Sequence, residues 1–255
     1  MRTTNSSTLS LLSLLSLSAV LTGAAAGCDA VEEDLGEVTL RPWGCNWCTL
    51  SGGNSATIND ASLPHWYLDR TFGDGYSIGL GESSNKVPFK LDVDPLTDRF
   101  VGRALSNGPS PGPIILSGSQ MLGATFQVVV GDTASVTLEI TEYDDTVLSW
   151  SDSGGQITAY KATYFDTQGV MRALCPATDP DNQWFTLIAG ERYDSGVNDV
   201  IAAPHSVTIA CVGEAVAKMK LMDFHPNGNR QASAEERQAT LRMITADYCG
   251  NGHSF

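Results

Sequence analysis

Between residues 37 and 151 no helical period persists, and the chain runs in short segments broken by turns. A helix buries a stripe of period 3.6 and a strand a face of period 2, so this half cannot form a helical bundle. Val87-Pro88-Phe89-Lys90-Leu91-Asp92-Val93 alternates apolar and polar, as a half-buried strand does. Residues 126–130 are apolar apart from Gln127, residues 136–140 alternate again, and Gly131-Asp132-Thr133 between them predicts a hairpin turn. Ser106-Asn107-Gly108-Pro109-Ser110-Pro111-Gly112-Pro113 is a loop by composition. Residues 37–152 are therefore expected to be a β-rich region, a small β-sandwich or barrel.

Asp152-Ser153-Gly154-Gly155 marks the expected boundary, with a second domain over residues 156–255. Tyr160, Ala162 and Tyr164 share one strand face, and residues 183–188 and 207–211 read as further strands. Ser233-Ala234-Glu235-Glu236 is a capping box, followed by Arg237, Leu241, Ile244 and Tyr248 at amphipathic-helix spacing. Gly250 is a stop signal, giving a helix of about four turns. The fold class is mainly β with an α+β C-terminal part, a strand-rich domain closed by one amphipathic helix.

The first 27 residues read as a secretory signal: one Arg and no acid, then a Leu/Ser run, then small residues. The apolar stretch is short for a membrane span and is followed by acids rather than a basic flank. Ala24-Ala25-Ala26 fits a cleavage site that releases a soluble periplasmic or secreted protein. Ala25-Ala26-Gly27-Cys28 resembles a bacterial lipobox, with Ala25 where Leu is usual, and would make Cys28 a lipidated N-terminus. The acidic residues 28–36 suit a tether, so membrane attachment through a lipid on Cys28 is the preferred reading.

Export into an oxidising compartment makes disulfides the default for Cys45, Cys48, Cys175, Cys211 and Cys249. Lipidation of Cys28 leaves these five, an odd number, which weighs against the anchor. Cys45-Asn46-Trp47-Cys48 could be a redox dithiol or half a zinc site. The turn-forming string after it lacks the helix that would activate a thiolate, and no second paired motif supplies zinc ligands, so a structural disulfide is preferred.

Thr245-Ala246-Asp247-Tyr248-Cys249-Gly250-Asn251-Gly252-His253-Ser254 resembles the signature of the ADYC domain, carried mainly by exported, often lipoprotein-type proteins of myxobacteria and related bacteria. The likeness extends through Ala173-Leu174-Cys175, residues 207–213, residues 215–218 and Leu241-Arg242-Met243, and more loosely to Cys48 and residues 53–56. The pattern has cysteines where this chain has Met219 and Thr240. Their joint absence implies a lost pair and leaves Cys175, Cys211 and Cys249 to share one bridge. Family members run on past the motif, so the resemblance implies that a terminal strand or loop is missing here. The signature residues are Ala246, Asp247, Tyr248, Cys249 and Gly250. The family supplies no established activity.

A formal charge of −14, with 15 basic against 29 acidic residues and no basic cluster, excludes nucleic acid as a partner. Cys249 near His253 invites a nucleophile reading, but Cys249 falls at a predicted helix C-terminus, where the partial negative charge opposes a thiolate. A disulfide stapling the helix is the better account. Asp247 reads as a solvated or hydrogen-bonded end residue. His65, His205, His225 and His253 form no metal-binding pair. Asp92, Asp94 and Asp98, and likewise Asp179, Asp181 and Asn182, lack calcium-loop spacing and read as acidic turns. Trp43, Trp47, Trp66 and Tyr67 could stack on sugar rings, though aromatic core near a disulfide accounts for them more simply. The sequence thus predicts no catalytic residues, no metal and no cofactor. It points to a lipid-anchored envelope protein that binds or scaffolds, with an unidentified envelope protein or polysaccharide as partner. The rival is an exported hydrolase or thiol-disulfide enzyme using Cys45/Cys48 or Cys249 with His253.

Overall fold

The alternation at residues 87–93 is a strand. In a computed structural model of the chain, Pro88–Asp94 buries Phe89, Leu91 and Val93 and turns Pro88 and Lys90 to solvent. The structure describes residues 56–68, 76–106, 108, 110–130, 134–194, 198–247 and 249. In chain order the strands are β1 (Thr57–Ile58), β2 (Ala61–Ser62), β3 (His65–Tyr67), β4 (Tyr76–Glu82), β5 (Pro88–Asp94), β6 (Arg99–Arg103) and β7 (Ile114–Ser117). There follow β8 (Thr125–Val130), β9 (Ala134–Leu148), β10 (Gln156–Phe165), β11 (Met171–Ala173), β12 (Phe185–Asp194) and β13 (Asp199–Cys211). Two helices close the described chain, α1 (Ala215–Leu221) and α2 (Ala234–Ile244).

The fold is mainly β with an α+β C-terminal part. β1 and β2 form a small ribbon. The remaining strands make one sheet in the order β3-β13-β12-β10-β9-β8-β4-β5-β6-β7, with β11 on β10. Every pairing is antiparallel except β3–β4, a parallel contact of two residue pairs, Trp66 with Tyr76 and Tyr67 with Ser77. The sheet therefore curls back on itself through a short seam, without the full ladder of a closed barrel. Asp152-Ser153-Gly154-Gly155 lies in the connection between β9 and β10, which pair with each other across it.

Rings from across the sheet meet in one core. Trp66, Phe89, Phe100, Phe126, Tyr160 and Phe185 are all fully buried. Phe100 lies 5.2 Å from Tyr160 between ring centroids, and Trp66 lies edge-on to Phe126 at 6.1 Å. Burial of each such side chain contributes about 2–3 kcal/mol, and offset or edge-on pairing adds about 1 kcal/mol more. Glycine makes room for Phe89: a Cβ on Gly81 would stand 2.5 Å from its ring, and one on Gly102 3.0 Å.

Helix α2 starts where its capping box predicts. The Ser233 hydroxyl accepts from Glu236 N–H, and the Glu236 carboxylate accepts from Ser233 N–H. It ends earlier than Gly250 implies. Ala246 takes a left-handed φ of 55°, its N–H donates to Met243 O, and Asp247 N–H donates to Arg242 O. This is a Schellman cap with alanine in the glycine position, and it holds the helix to 11 residues, or three turns. Helix α1 is a second correction: seven residues are too few to show a period, so it has no amphipathic signature. No helix among the described residues is long and apolar enough to cross a membrane.

Candidate functional site

Asp98 ends the β5–β6 turn, which Asp94 organises by accepting from Leu96 N–H and the Thr97 hydroxyl. Asp98 itself sits at a left-handed φ of 50°, a conformation that a short polar side chain tolerates. Its carboxylate points inward and is 1% exposed. Oδ1 accepts from Ala189 N–H at 3.1 Å and from Asn227 Nδ2 at 2.9 Å. Oδ2 accepts from Lys220 Nζ at 2.8 Å. The Ala189 N–H lies beside a β-bulge between β12 and β13, where Gly190 adopts a φ of 86°.

Lys220 comes from the last turn of α1 and is as buried as its partner; its ammonium also donates to Leu187 O. Burial alone would raise the Asp98 carboxyl. The Lys220 charge and the neighbouring His225 outweigh it and hold the carboxyl well below its usual range. Burial pushes the Lys220 ammonium down, and the Asp98 carboxylate opposes that.

The loop after α1 supplies the rest. His225 Nδ1 stands 3.1 Å from Asp98 Oδ2, without hydrogen-bond alignment, and Nε2 stands 3.7 Å from Asp223 Oδ1. Asp223 accepts from Asn229 N–H, Arg230 N–H and the Ser153 hydroxyl. Gly228 is required here, because a Cβ would lie 2.6 Å from Asp223 Oδ1 and 2.8 Å from Asp223 O. The β5–β6 turn, the β9–β10 turn and this loop converge over the buried ions and enclose a cavity of about 190 Å³.

A second buried pair fixes α2 to the sheet. Glu191 accepts from the Arg237 guanidinium and the Tyr193 hydroxyl. Arg237 thus completes the inner stripe of α2 with a charge rather than a methyl group. Beyond it, Gln238 donates to Asn198 O, and its amide oxygen accepts from Val200 N–H. Asn198 Nδ2 donates to Asp247 at 3.1 Å. Asp247 is fully buried, so it is a hydrogen-bonded rather than a solvated end residue.

Cys175 and Cys211 form a disulfide that ties the chain after β11 to the end of β13. Cys249 carries a free, exposed thiol and does not staple α2, contrary to expectation. Met219 and Thr240, where the family pattern has cysteines, are both buried on α1 and α2. Cys28, Cys45, Cys48, Tyr248, Gly250, His253, Trp43 and Trp47 lie outside the described residues. Trp66 is wholly inside the core and cannot grip a sugar; its indole N–H donates to Leu63 O. Asp94 and Asp179 organise turns as expected, Asp179 capping a 3-10 turn over Pro180–Asn182, whereas Asp92 lies within β5 and pairs with Arg103, and Asp98 is buried. No group of three or more His, Cys, Asp or Glu among the described residues could hold a metal ion. His65 and His205 lie apart from the cavity, His205 in the open and His65 held between Thr208 and Tyr193.

Sequence reasoning missed Lys220 and the Asp98–His225–Asp223 row, since charged residues on a turn or short helix read as solvated. The signal present was Asp223-Phe224-His225-Pro226-Asn227-Gly228-Asn229, a turn-rich stretch carrying two titratable groups. Among known families, the ADYC domain matches residues 118–255, including β8 to α2 and most of the cavity wall. The matched segment begins upstream of the turn at residues 152–155. No curated protein and no solved structure matches the chain.

Proposed function

We propose, from the premise that the chain belongs to the ADYC domain family, that it is an exported envelope protein held to a bacterial membrane by a lipid on Cys28, and that its folded part works by binding or scaffolding. The reading of binding over chemistry rests on one observation. The buried ion pair at the cavity floor is engaged by the fold: Asp98 accepts from three donors beside His225, and Lys220 donates to a carboxylate and a carbonyl. A general acid, base or nucleophile needs an uncommitted lone pair or proton within reach of substrate. These groups spend most of their donors and acceptors on one another and on the backbone, while the loops above them leave an open cavity.

The anchor rests on Ala25-Ala26-Gly27-Cys28 and the acidic stretch after it. Intact mass of the natively processed protein, alkylated before reduction, tests it. A chain starting at acylated Cys28 is expected; an unacylated chain starting near Gly27 overturns the anchor. The free, exposed thiol of Cys249 favours a second reading as an exported thiol enzyme. Alkylation of Cys249 no faster than that of a simple thiol at neutral pH removes that reading.

A further inference from the structure

Arg99 is the exception among the charged residues of the cavity. Its partner-rich counterparts set the contrast: Arg103 pairs with Asp92, Arg172 with Asp166, Arg237 with Glu191 and Arg242 with Asp199. Arg192 donates to the Tyr67 hydroxyl, and Arg230 lies over the Phe224 ring. Arg99 is half-buried and lines the cavity, and its guanidinium makes no hydrogen bond or ion pair with any described residue. Its charge is close enough to Lys220 to disfavour protonation there.

We propose that this cavity is an anion-binding site, in which the Arg99 guanidinium receives a carboxylate or phosphate group carried by a small solute. The inference deepens the binding reading and rests on it. The other ions around the cavity are already answered: Lys220 by Asp98, and Asp223 by two backbone N–H groups and the Ser153 hydroxyl. An incoming anion therefore meets one cation whose counterion the fold does not supply. A guanidinium is a planar fork of donors matched to carboxylate and phosphate oxygens, and partial burial strengthens that contact relative to water. Gln156 and Asn229 stand at the same cavity with side-chain amides able to donate to the anion's remaining oxygens. At about 190 Å³ the space suits the head of a small solute rather than a polymer backbone.

The test is thermal unfolding of the processed full chain, in detergent, against rising inorganic phosphate or acetate at ionic strength held constant with sodium chloride. Saturating binding raises the melting temperature by roughly 5–10 °C at about 100-fold excess over the dissociation constant. Arg99→Gln abolishes the rise, and Arg99→Lys keeps a weakened one because the charge remains while the fork is lost. Response to phosphate alone, or to acetate alone, assigns the group. No response beyond the chloride control, or an equal response in Arg99→Gln, overturns the site. That failure leaves the lipid on Cys28 untouched, and an unacylated mass leaves the titration untouched, so the two readings fall separately.

Discussion

Lys220 and Asp98 face each other at 2.8 Å, with side chains 4% and 1% exposed, although 122 residues separate them in the chain. One end of the pair is carried by a hairpin turn early in the sheet and the other by a short helix near the end. The contact welds the β5–β6 turn to β12 and α1, and it forms the floor of the cavity above it.

Removing one member of this pair costs far more than the pair itself contributes. Lys220→Met leaves a buried carboxylate without its cation, and unfolding by denaturant should show a loss of about 3–5 kcal/mol. The Asp98→Asn/Lys220→Met double variant should recover a large part of it. A double variant as unstable as the sum of the singles would mean that the two charges are not coupled. Because the folded Asp98 pKa lies below its ordinary 3.8, its contribution is complete above that pH and is lost as the pH falls through the folded value. Asp98→Asn should therefore flatten the acid limb of the stability profile.

Ala246 holds a conformation that L-residues with a Cβ adopt at a cost of about 1–2 kcal/mol. Ala246→Gly removes that cost and returns part of it as extra freedom in the unfolded chain. A net gain of about 0.5–1 kcal/mol in chemical denaturation is expected. A loss would mean that the methyl group makes packing contacts worth more than the strain.

His65 gives the neutral range its own pH dependence. Burial lowers its pKa below the ordinary 6.5, the nearby Tyr193 carbonyl opposing in part. That carbonyl can only accept, so the neutral ring carries its proton on Nε2. The sign follows from the depressed value. The contribution of His65 is fully present above 6.5 and is lost as the pH falls through the folded pKa. Melting curves between about pH 7.5 and 5 should show this loss in the parent protein and a shallower one in His65→Gln. Equal slopes would remove His65 as the cause.

The Cys175–Cys211 disulfide closes a sequence separation of 36 residues. Loop-closure entropy assigns it about 4 kcal/mol of stabilisation. Replacing both cysteines with alanine should lower the unfolding free energy by that order. A change under about 1 kcal/mol would show that the unfolded chain is already constrained there.

What could be read from the residues was local. The alternation at residues 87–93 and the Ser233/Glu236 box fix a strand and a helix start through neighbours in the chain, and both stand where expected. The Asp98–Lys220 pair could not be read, because neither residue has a local signal and their meeting depends on sheet order. Ala246 was hidden for another reason. Gly250 supplied the expected chemical stop, whereas the actual one is a strained alanine secured by Asp247 against Asn198. Arg99 shows the same limit: an unpaired guanidinium is visible only once the other described arginines have been set beside their partners.

The short seam at β3 has a consequence for the order of synthesis. His65 meets Thr208 across 143 residues, so the strand that emerges among the first has its partner among the last. At about 5–20 residues per second, the 143 residues between them take roughly 7–29 s to be made. During that interval the large indole of Trp66 lacks the β13 wall it rests beside, and a hydrophobic edge stands open to neighbouring nascent chains. The seam at β3 can therefore close only once β13, the last strand of the described chain, has formed.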